Sequence, residues 1–195
     1  MTHSSTSIDT LLRYHTDDPV IIEAMIEQYH SMLYRLALSI LSDPAEADDA
    51  VQDAFLNAAL HLNSYTIGTN FKAWLHSITI NTCRGYLRKK HTRQNMEALL
   101  RSLHLIAPAS PAPEEIAMEN EIGGQLWAAM GELSEKHQLV VILRIVHELP
   151  VSEIAYLLGI KEKTVYTRLY DAFRKMRKQL KASPDFDWLT KESLQ

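Results

Sequence analysis

A single cysteine, Cys83, stands among the 195 residues, so the chain can form no disulfide within itself and suits a reducing compartment. Glycine and proline are scarce, at six and seven, and no stretch alternates apolar and polar residues as a half-buried strand does. Those two deficits favour an all-α chain. No apolar run approaches the roughly 20 residues needed to span a bilayer, so no membrane span is expected. The opening MTHSSTSIDTLLRYHTDDP lacks the basic and apolar blocks of a signal peptide. The expected location is cytoplasmic. Signatures of chemistry are missing too. His76, Cys83 and His91 have spacings that fit neither Cys-x-x-Cys nor His-x-x-x-His ligation, so no metal is expected. There is no phosphate-cradling glycine loop and no dinucleotide fingerprint, because Gly123-Gly124 stands alone. The expectation is a protein with no cofactor, no catalytic residues and no enzyme activity.

What is present is a sharply uneven distribution of charge. The formal net charge of -4 hides two basic segments. Phe71 to Leu103 holds seven Lys or Arg against one acid, and Lys161 to Lys181 holds eight against two. Acids gather instead at Asp43, Glu46, Asp48, Asp49 and Asp53, and again from Glu114 to Glu121. Basic surfaces suit phosphate, and an acidic helix suits a basic protein partner.

The stretch Leu133 to Leu180 carries the clearest pattern. Val151, Ile154, Ala155 and Leu158 form one short helical stripe; Val165, Leu169, Ala172, Phe173, Met176 and Leu180 form a second. Gly159 between them suits the left-handed residue that closes the first helix of a helix-turn-helix. Lys161, Lys163, Thr164, Tyr166, Thr167, Arg168 and Tyr170 then lie on or near the start of the second helix, able to reach phosphates and base edges.

Upstream, three helices are expected. One runs from Pro19 with Ile22, Met25, Ile26, Tyr29, Met32, Leu33, Leu36 and Ile40 as its apolar stripe. Asp43 caps the next and Pro44 opens it. That helix, Ala45 to about Leu62, buries Ala47, Ala50, Val51, Ala54, Phe55, Ala58 and Leu62, and turns Asp48, Asp49, Gln52 and Asp53 outward. A loop, Ser64 to Asn70, ends on Thr69 or Asn70 as N-cap. The third helix, Phe71 to about Arg93, buries Phe71, Trp74, Leu75, Ile78 and Thr82, and exposes Lys72, His76, Ser77, Asn81, Arg84, Arg88, Lys89 and Lys90. An aromatic-rich loop and helix beside Asn and Arg can hold an unstacked base by stacking and edge hydrogen bonds. Pro108, Pro111 and Pro113 mark an extended linker. Helices resume at Gln125 to Met130 and at Glu135 to Val146, the latter capped by Ser134. The expected division is an arm at 1–19, a helical domain at 20–94, a flexible linker at 95–123, a helix-turn-helix domain at 124–181 and a tail at 182–195. Phe186, Trp188 and Leu189 lie in that tail.

The segments LYRLALSILSDPAEADDAVQDAFLNAALHL and FKAWLHSITINTCRGYLRKK, followed by the Leu133–Leu180 stretch, resemble a bacterial RNA polymerase sigma factor of the extracytoplasmic-function group. The resemblance covers about residues 20 to 180. It implies that Asp49, Gln52, Asp53 and Phe55 dock on the coiled coil in the largest subunit of core polymerase. It implies that Thr69, Asn70, Lys72, Trp74, His76, Ser77, Asn81, Arg84 and Arg88 hold the opened minus-ten strand. It further implies that Lys161, Lys163, Thr164, Tyr166, Thr167, Arg168 and Arg174 meet the minus-thirty-five duplex. Promoter DNA, core polymerase and an anti-sigma factor are the partners so implied. The chain departs from the family pattern at His76-Ser77, where Tyr-Arg is usual, at Lys161, Lys163 and Tyr166, where small or basic residues usually stand, and at Asp171 and Phe173, where basic residues are usual. The competing reading is a helix-turn-helix regulator that is not a polymerase subunit; it leaves the Phe71–Lys90 segment unexplained.

Overall fold

The computed structural model describes residues 19–102 and 121–180, which lie in two compact units, 1–112 and 113–195. The described residues are mostly helical, joined by short turns and loops, with no strand among them.

In the first unit, α1 (Pro19–Leu41), α2 (Pro44–Leu60) and α3 (Phe71–Ser102) pack against one another pairwise. The core is made by Ile21, Met25, Leu33, Leu36 and Ile40 of α1, Ala47, Ala50, Val51 and Ala54 of α2, and Leu75 and Ile80 of α3. The small residues of α2 lack long side chains, which lets neighbouring backbones approach. The α1 stripe is turned slightly from its expected phase: Ile21 is buried whereas Ile22 and Ile26 are 37% and 41% exposed. Between α1 and α2 the chain reverses at Ser42, whose φ is 55°. Asp43 then adopts extended backbone, and its Oδ1 accepts from the N–H groups of Ala45 and Glu46, both at 2.9 Å. The cap and the Pro44 start are as the sequence predicts. A short 3-10 turn, Leu62–Ser64, leads into the loop before α3.

Helix α3 runs nine residues beyond its expected end at Arg93, so residues 95–102 of the expected linker are helical. The reason is local: Gln94 to Ser102 is rich in strong helix formers and holds neither Gly nor Pro. The Pro-bearing middle of the linker, the N-terminal arm up to Asp18 and the tail lie outside the described residues.

In the second unit, α4 (Glu121–Gly131), α5 (Glu135–Val141), α6 (Val151–Leu158) and α7 (Glu162–Gln179) meet, with α7 contacting each of the other three. Met130, Val140, Leu143, Ile154, Leu169 and Met176 are buried at its centre. The single helix expected from Glu135 to Val146 is α-helical only to Val141 and widens into a π turn over Ile142–Val146. There His147 N–H reaches Ile142 O at 3.2 Å, five residues back. Five consecutive residues, Leu139 to Leu143, are buried, so this segment is enclosed on all sides. Ser134 has the extended backbone of a cap, and its carbonyl accepts from His137 N–H at 2.8 Å. Its hydroxyl, however, pairs with His137 Nδ1 at 2.6 Å rather than with a helix N–H. In α6, Leu157 is buried and Leu158 only half-buried, the reverse of the expected emphasis.

Candidate nucleic-acid interface

Helix α2 presents two facets. At ~3.6 residues per turn, Asp49, Gln52, Leu56 and Leu60 share one, and all four are exposed. Gln52 Nε2 donates to Asp48 Oδ2 at 2.9 Å, which fixes the amide beside the carboxylates. Leu56 and Leu60 are 64% and 79% exposed and extend the acidic stripe with apolar surface. Sequence reasoning passed over them, although their spacings of four and eight residues from Gln52 carried the signal. Phe55 is different. It is only 5% exposed and stacks on His30 with ring centroids 6.4 Å apart, so it supports this face from beneath. It cannot itself be a contact residue without unpacking.

Asp53 and Asn57, with His61 at the C-cap just past the helix, form the second facet of α2, turned toward α3. Tyr86 OH donates to Asp53 Oδ2 at 2.8 Å. Partial burial, then that hydrogen bond and the nearby carboxylates, push the Tyr86 phenol up to about 12, so it remains a donor. Closer to the N-terminus of α2, Lys90 Nζ lies 3.1 Å from Glu46 Oε2. Between the facing walls lies an open groove of about 530 Å³, bordered by Asn57, His61, Trp74, Asn81, Tyr86 and Lys89 among others. Asn57, His61 and Tyr86 are residues the sequence did not single out. Only the pairing of α2 with α3 reveals them.

The loop before α3 is held from within. Gly68 has φ 89°, which a residue without Cβ adopts at no steric cost. Tyr65 OH donates to Thr69 O at 2.6 Å, and Thr69 Oγ1 to Thr66 O at 2.7 Å. Of the two candidate caps it is Asn70 that acts, its Oδ1 accepting from Ala73 N–H at 3.0 Å. Trp74 joins an aromatic cluster, 5.4 Å from both Tyr65 and Phe71. It is half-buried, so it is both a packing residue and a wall of the groove.

Around α3, the helical period brings Trp74, Ser77, Asn81, Arg84 and Arg88 to one side. Asn81 and Arg88 are exposed; Trp74, Ser77 and Arg84 are half-buried. Lys72 is exposed but occupies the phase that becomes the buried side one turn later. His76 contradicts the expectation of a surface residue: it is 5% exposed, on the inner phase with Thr79, Ile80 and Cys83. It is therefore removed from the strand-facing set. Ile78 and Thr82, expected in the core, are half-buried and line the groove instead. Cys83 is buried, and that burial pushes its thiol up to about 12.

In the second unit, Gly159 closes α6 with φ 62° and ψ 35°. Ile160 N–H returns to Ala155 O at 3.0 Å, the hydrogen bond of a tight helix C-terminus. Helix α7 buries Val165, Leu169, Ala172, Phe173 and Met176, as the stripe predicts. Its outward face carries Lys163, Tyr166, Thr167, Tyr170 and Arg174, all exposed. Lys161 precedes the helix and is exposed, whereas Thr164 and Arg168 are half-buried on a flank. That flank adjoins His137, a residue absent from the sequence reading. Burial and then Lys175 and Lys136 hold the His137 imidazole below its ordinary range, Asp171 opposes them, and Arg168 adds to the lowering. Arg174 lies 3.2 Å from Asp171 Oδ1, so its charge is partly matched within the helix.

Taken together, the described residues offer an acidic stripe, a polar-aromatic groove beside a basic helix, and a helix-turn-helix whose second helix has a cationic outer face. No described helix is long and apolar enough to cross a membrane. Residues 25–93 match the family Sigma-70 region 2, and residues 123–176 match Sigma-70, region 4. The ECF RNA polymerase sigma factor SigE of Mycolicibacterium smegmatis is 30% identical over 158 residues, 81% of this chain and 61% of that protein. The ECF RNA polymerase sigma factor SigW of Bacillus subtilis is 28% identical over 163 residues, 80% of this chain and 87% of that protein. Among solved structures, the sigma factor RpoE with the anti-sigma factor NepR from Bartonella quintana aligns with TM-score 0.59 at 21% identity, covering 83% of this chain and 97% of that one. CnrH with the cytosolic domain of CnrY aligns with TM-score 0.60 at 20% identity, covering 91% and 99%. At such identities the likeness is one of fold.

Proposed function

Because the chain belongs to the sigma-70 family, in its extracytoplasmic-function group, we propose that it directs core RNA polymerase to particular promoters and helps to open them. It supplies no catalytic residue; polymerisation belongs to the core enzyme. The α2 stripe of Asp49, Gln52, Leu56 and Leu60 docks on a basic, partly apolar helical surface of the core, the coiled coil of the largest subunit. Exposed carboxylates speed and orient that encounter, and the two leucines add apolar burial.

The observation that carries the reading is the groove between α2 and α3. An unstacked base of the minus-ten element enters it against Trp74. The amides of Asn57 and Asn81 and the imidazole of His61 meet its edge, while Arg84 and Arg88 follow the phosphates. Holding one extruded base offsets part of the cost of melting without a nucleotide-driven motor. In the second unit α7 enters the major groove of the minus-thirty-five duplex, with Lys161, Lys163 and Arg174 toward phosphates and Tyr166 and Thr167 toward bases. Thr164 and Arg168 contribute from the flank. Tandem binding sites on one chain then gain by effective concentration. The proposed domains are 20–94 and 124–181, and the proposed compartment is the cytoplasm, where polymerase acts.

An anti-sigma factor is the natural regulator, since a protein covering the α2 stripe and α7 would block both core and DNA. The structural relatives RpoE and CnrH were solved with NepR and CnrY, which supports this partner class. A helix-turn-helix regulator acting without polymerase would have no use for the groove or the acidic stripe. Run-off transcription from genomic fragments with purified core enzyme tests the proposal. Promoter-dependent transcripts that require the chain are expected; if core alone gives the same transcripts, the proposal fails.

A further inference from the structure

Phosphate binding leaves part of the outward face of α7 unused. The polar groups there are partly committed within the helix itself. Thr167 Oγ1 donates to Lys163 O at 2.9 Å, so its proton is taken. The Arg174 guanidinium rests 3.2 Å from the Asp171 carboxylate. Between these lie two aromatic rings on successive turns, Tyr166 at 42% and Tyr170 at 51% exposed. One exposed tyrosine would be ordinary. Two on one face, flanked by Lys163 and Arg174, make the middle of that face mainly apolar.

Among the groups that base pairs offer in the major groove, the thymine 5-methyl is apolar, whereas the others are hydrogen-bond donors or acceptors. Residues four apart advance ~6 Å along a helix, about two base-pair steps at ~3.4 Å each. We propose that Tyr166 and Tyr170 are specificity-determining residues that read thymine methyls about two steps apart in the upstream duplex element. The inference rests on the sigma-factor reading and names what its second unit recognises. The rival use of the same side chains is a hydroxyl-to-phosphate bond, which positions the helix without selecting sequence.

The test uses holoenzyme assembled from core polymerase and the full chain. Duplexes with a randomised upstream element are selected for binding, and the winners are remade with each thymine replaced singly by deoxyuracil, which removes the methyl alone. Thymine enrichment at two positions is expected, with each deoxyuracil weakening wild-type binding about fourfold, the effect of one buried methyl. Tyr166→Ala and Tyr170→Ala should each abolish the deoxyuracil effect at one position, while Tyr166→Phe and Tyr170→Phe retain it. Both rings are on the surface, so circular dichroism of the variants should match wild type. Indifference of wild-type holoenzyme to deoxyuracil overturns the proposal. So does equal loss in the Phe and Ala variants, because it places the hydroxyl on phosphate. Failure of wild-type holoenzyme to enrich any sequence overturns the sigma-factor reading and this inference together.

Discussion

Tyr86 of α3 gives its phenolic proton to Asp53 of α2 across a 2.8 Å hydrogen bond. That contact turns one carboxylate of the acidic helix toward the groove and leaves Asp49 and Gln52 facing outward. In the proposed function, docking and strand capture thus use neighbouring facets of a single helix.

The first prediction separates those facets. Charge reversal at Asp49 with truncation of Leu60 (Asp49→Lys, Leu60→Ala) should weaken core binding by about two orders of magnitude, as loss of a steering charge and an apolar contact implies. Tyr86→Phe should change core affinity by less than about threefold. Fluorescence anisotropy with labelled protein reads both. Equally large effects from the two changes would bring the Tyr86–Asp53 pair into the docking face with Asp49, and a small effect of the double change would remove the stripe from docking.

Trp74 couples the aromatic cluster to the groove. Trp74→Ala should lower open-complex formation by about 5- to 150-fold, since base–aromatic stacking contributes ~1–3 kcal/mol. Trp74→Phe, which keeps a ring, should recover most of it. Permanganate reactivity of unpaired thymines near the start site gives the measurement, and thermal denaturation controls for loss of packing against Tyr65 and Phe71. Unchanged reactivity in the Ala variant would remove Trp74 from strand capture.

At Gly159 nothing lies within 4 Å of where a Cβ would stand, so substitution meets open space and only the backbone resists. With φ at 62°, Gly159→Ala should destabilise the folded chain by about 1–2 kcal/mol. Asn, which tolerates this region better, should cost less. Urea titration of the three proteins orders them, and an Ala variant as stable as wild type would refute the strain.

His137 makes stability depend on pH. Its folded-state pKa lies below the unfolded one, so the folded chain resists the proton. The contribution is fully present above the unfolded value of about 6.5 and is lost as pH falls below it toward the folded value. Lys175, Lys136 and Arg168 oppose a second positive charge and Asp171 only partly answers them. Unfolding midpoints from pH 7.5 down to 5 should therefore decline, and His137→Gln should flatten part of that decline. A variant with the same slope as wild type would exclude His137 as the source.

Local chemistry was readable where one residue dictates one conformation. The Asp43-Pro44 helix start and the left-handed Gly159 needed no knowledge of the fold, because capping and φ are decided within a few residues. The α7 stripe was legible because every third or fourth residue from Val165 to Met176 is apolar. His76 was misplaced because a polar side chain on the inner phase of α3 breaks that pattern without announcing it. Asn57 and His61 escaped notice for a different reason. Each looks like an ordinary surface residue of α2 until α3 closes the other side of the groove. The exposed Leu56 and Leu60 run against the binary pattern, and such an inconsistency in a chain is itself a pointer to a partner.

The cap on α3 carries one more consequence. With one lone pair of its side-chain oxygen given to the amide of Ala73, Asn70 presents a visitor mainly with its NH2. An amide in solution can address donors and acceptors alike; this one is biased toward acceptors such as a carbonyl, a ring nitrogen or a phosphate oxygen. The fold thus biases what the loop can offer a ligand before any arrives, and an Asp at that place would keep the helix start yet lose the NH2 donor.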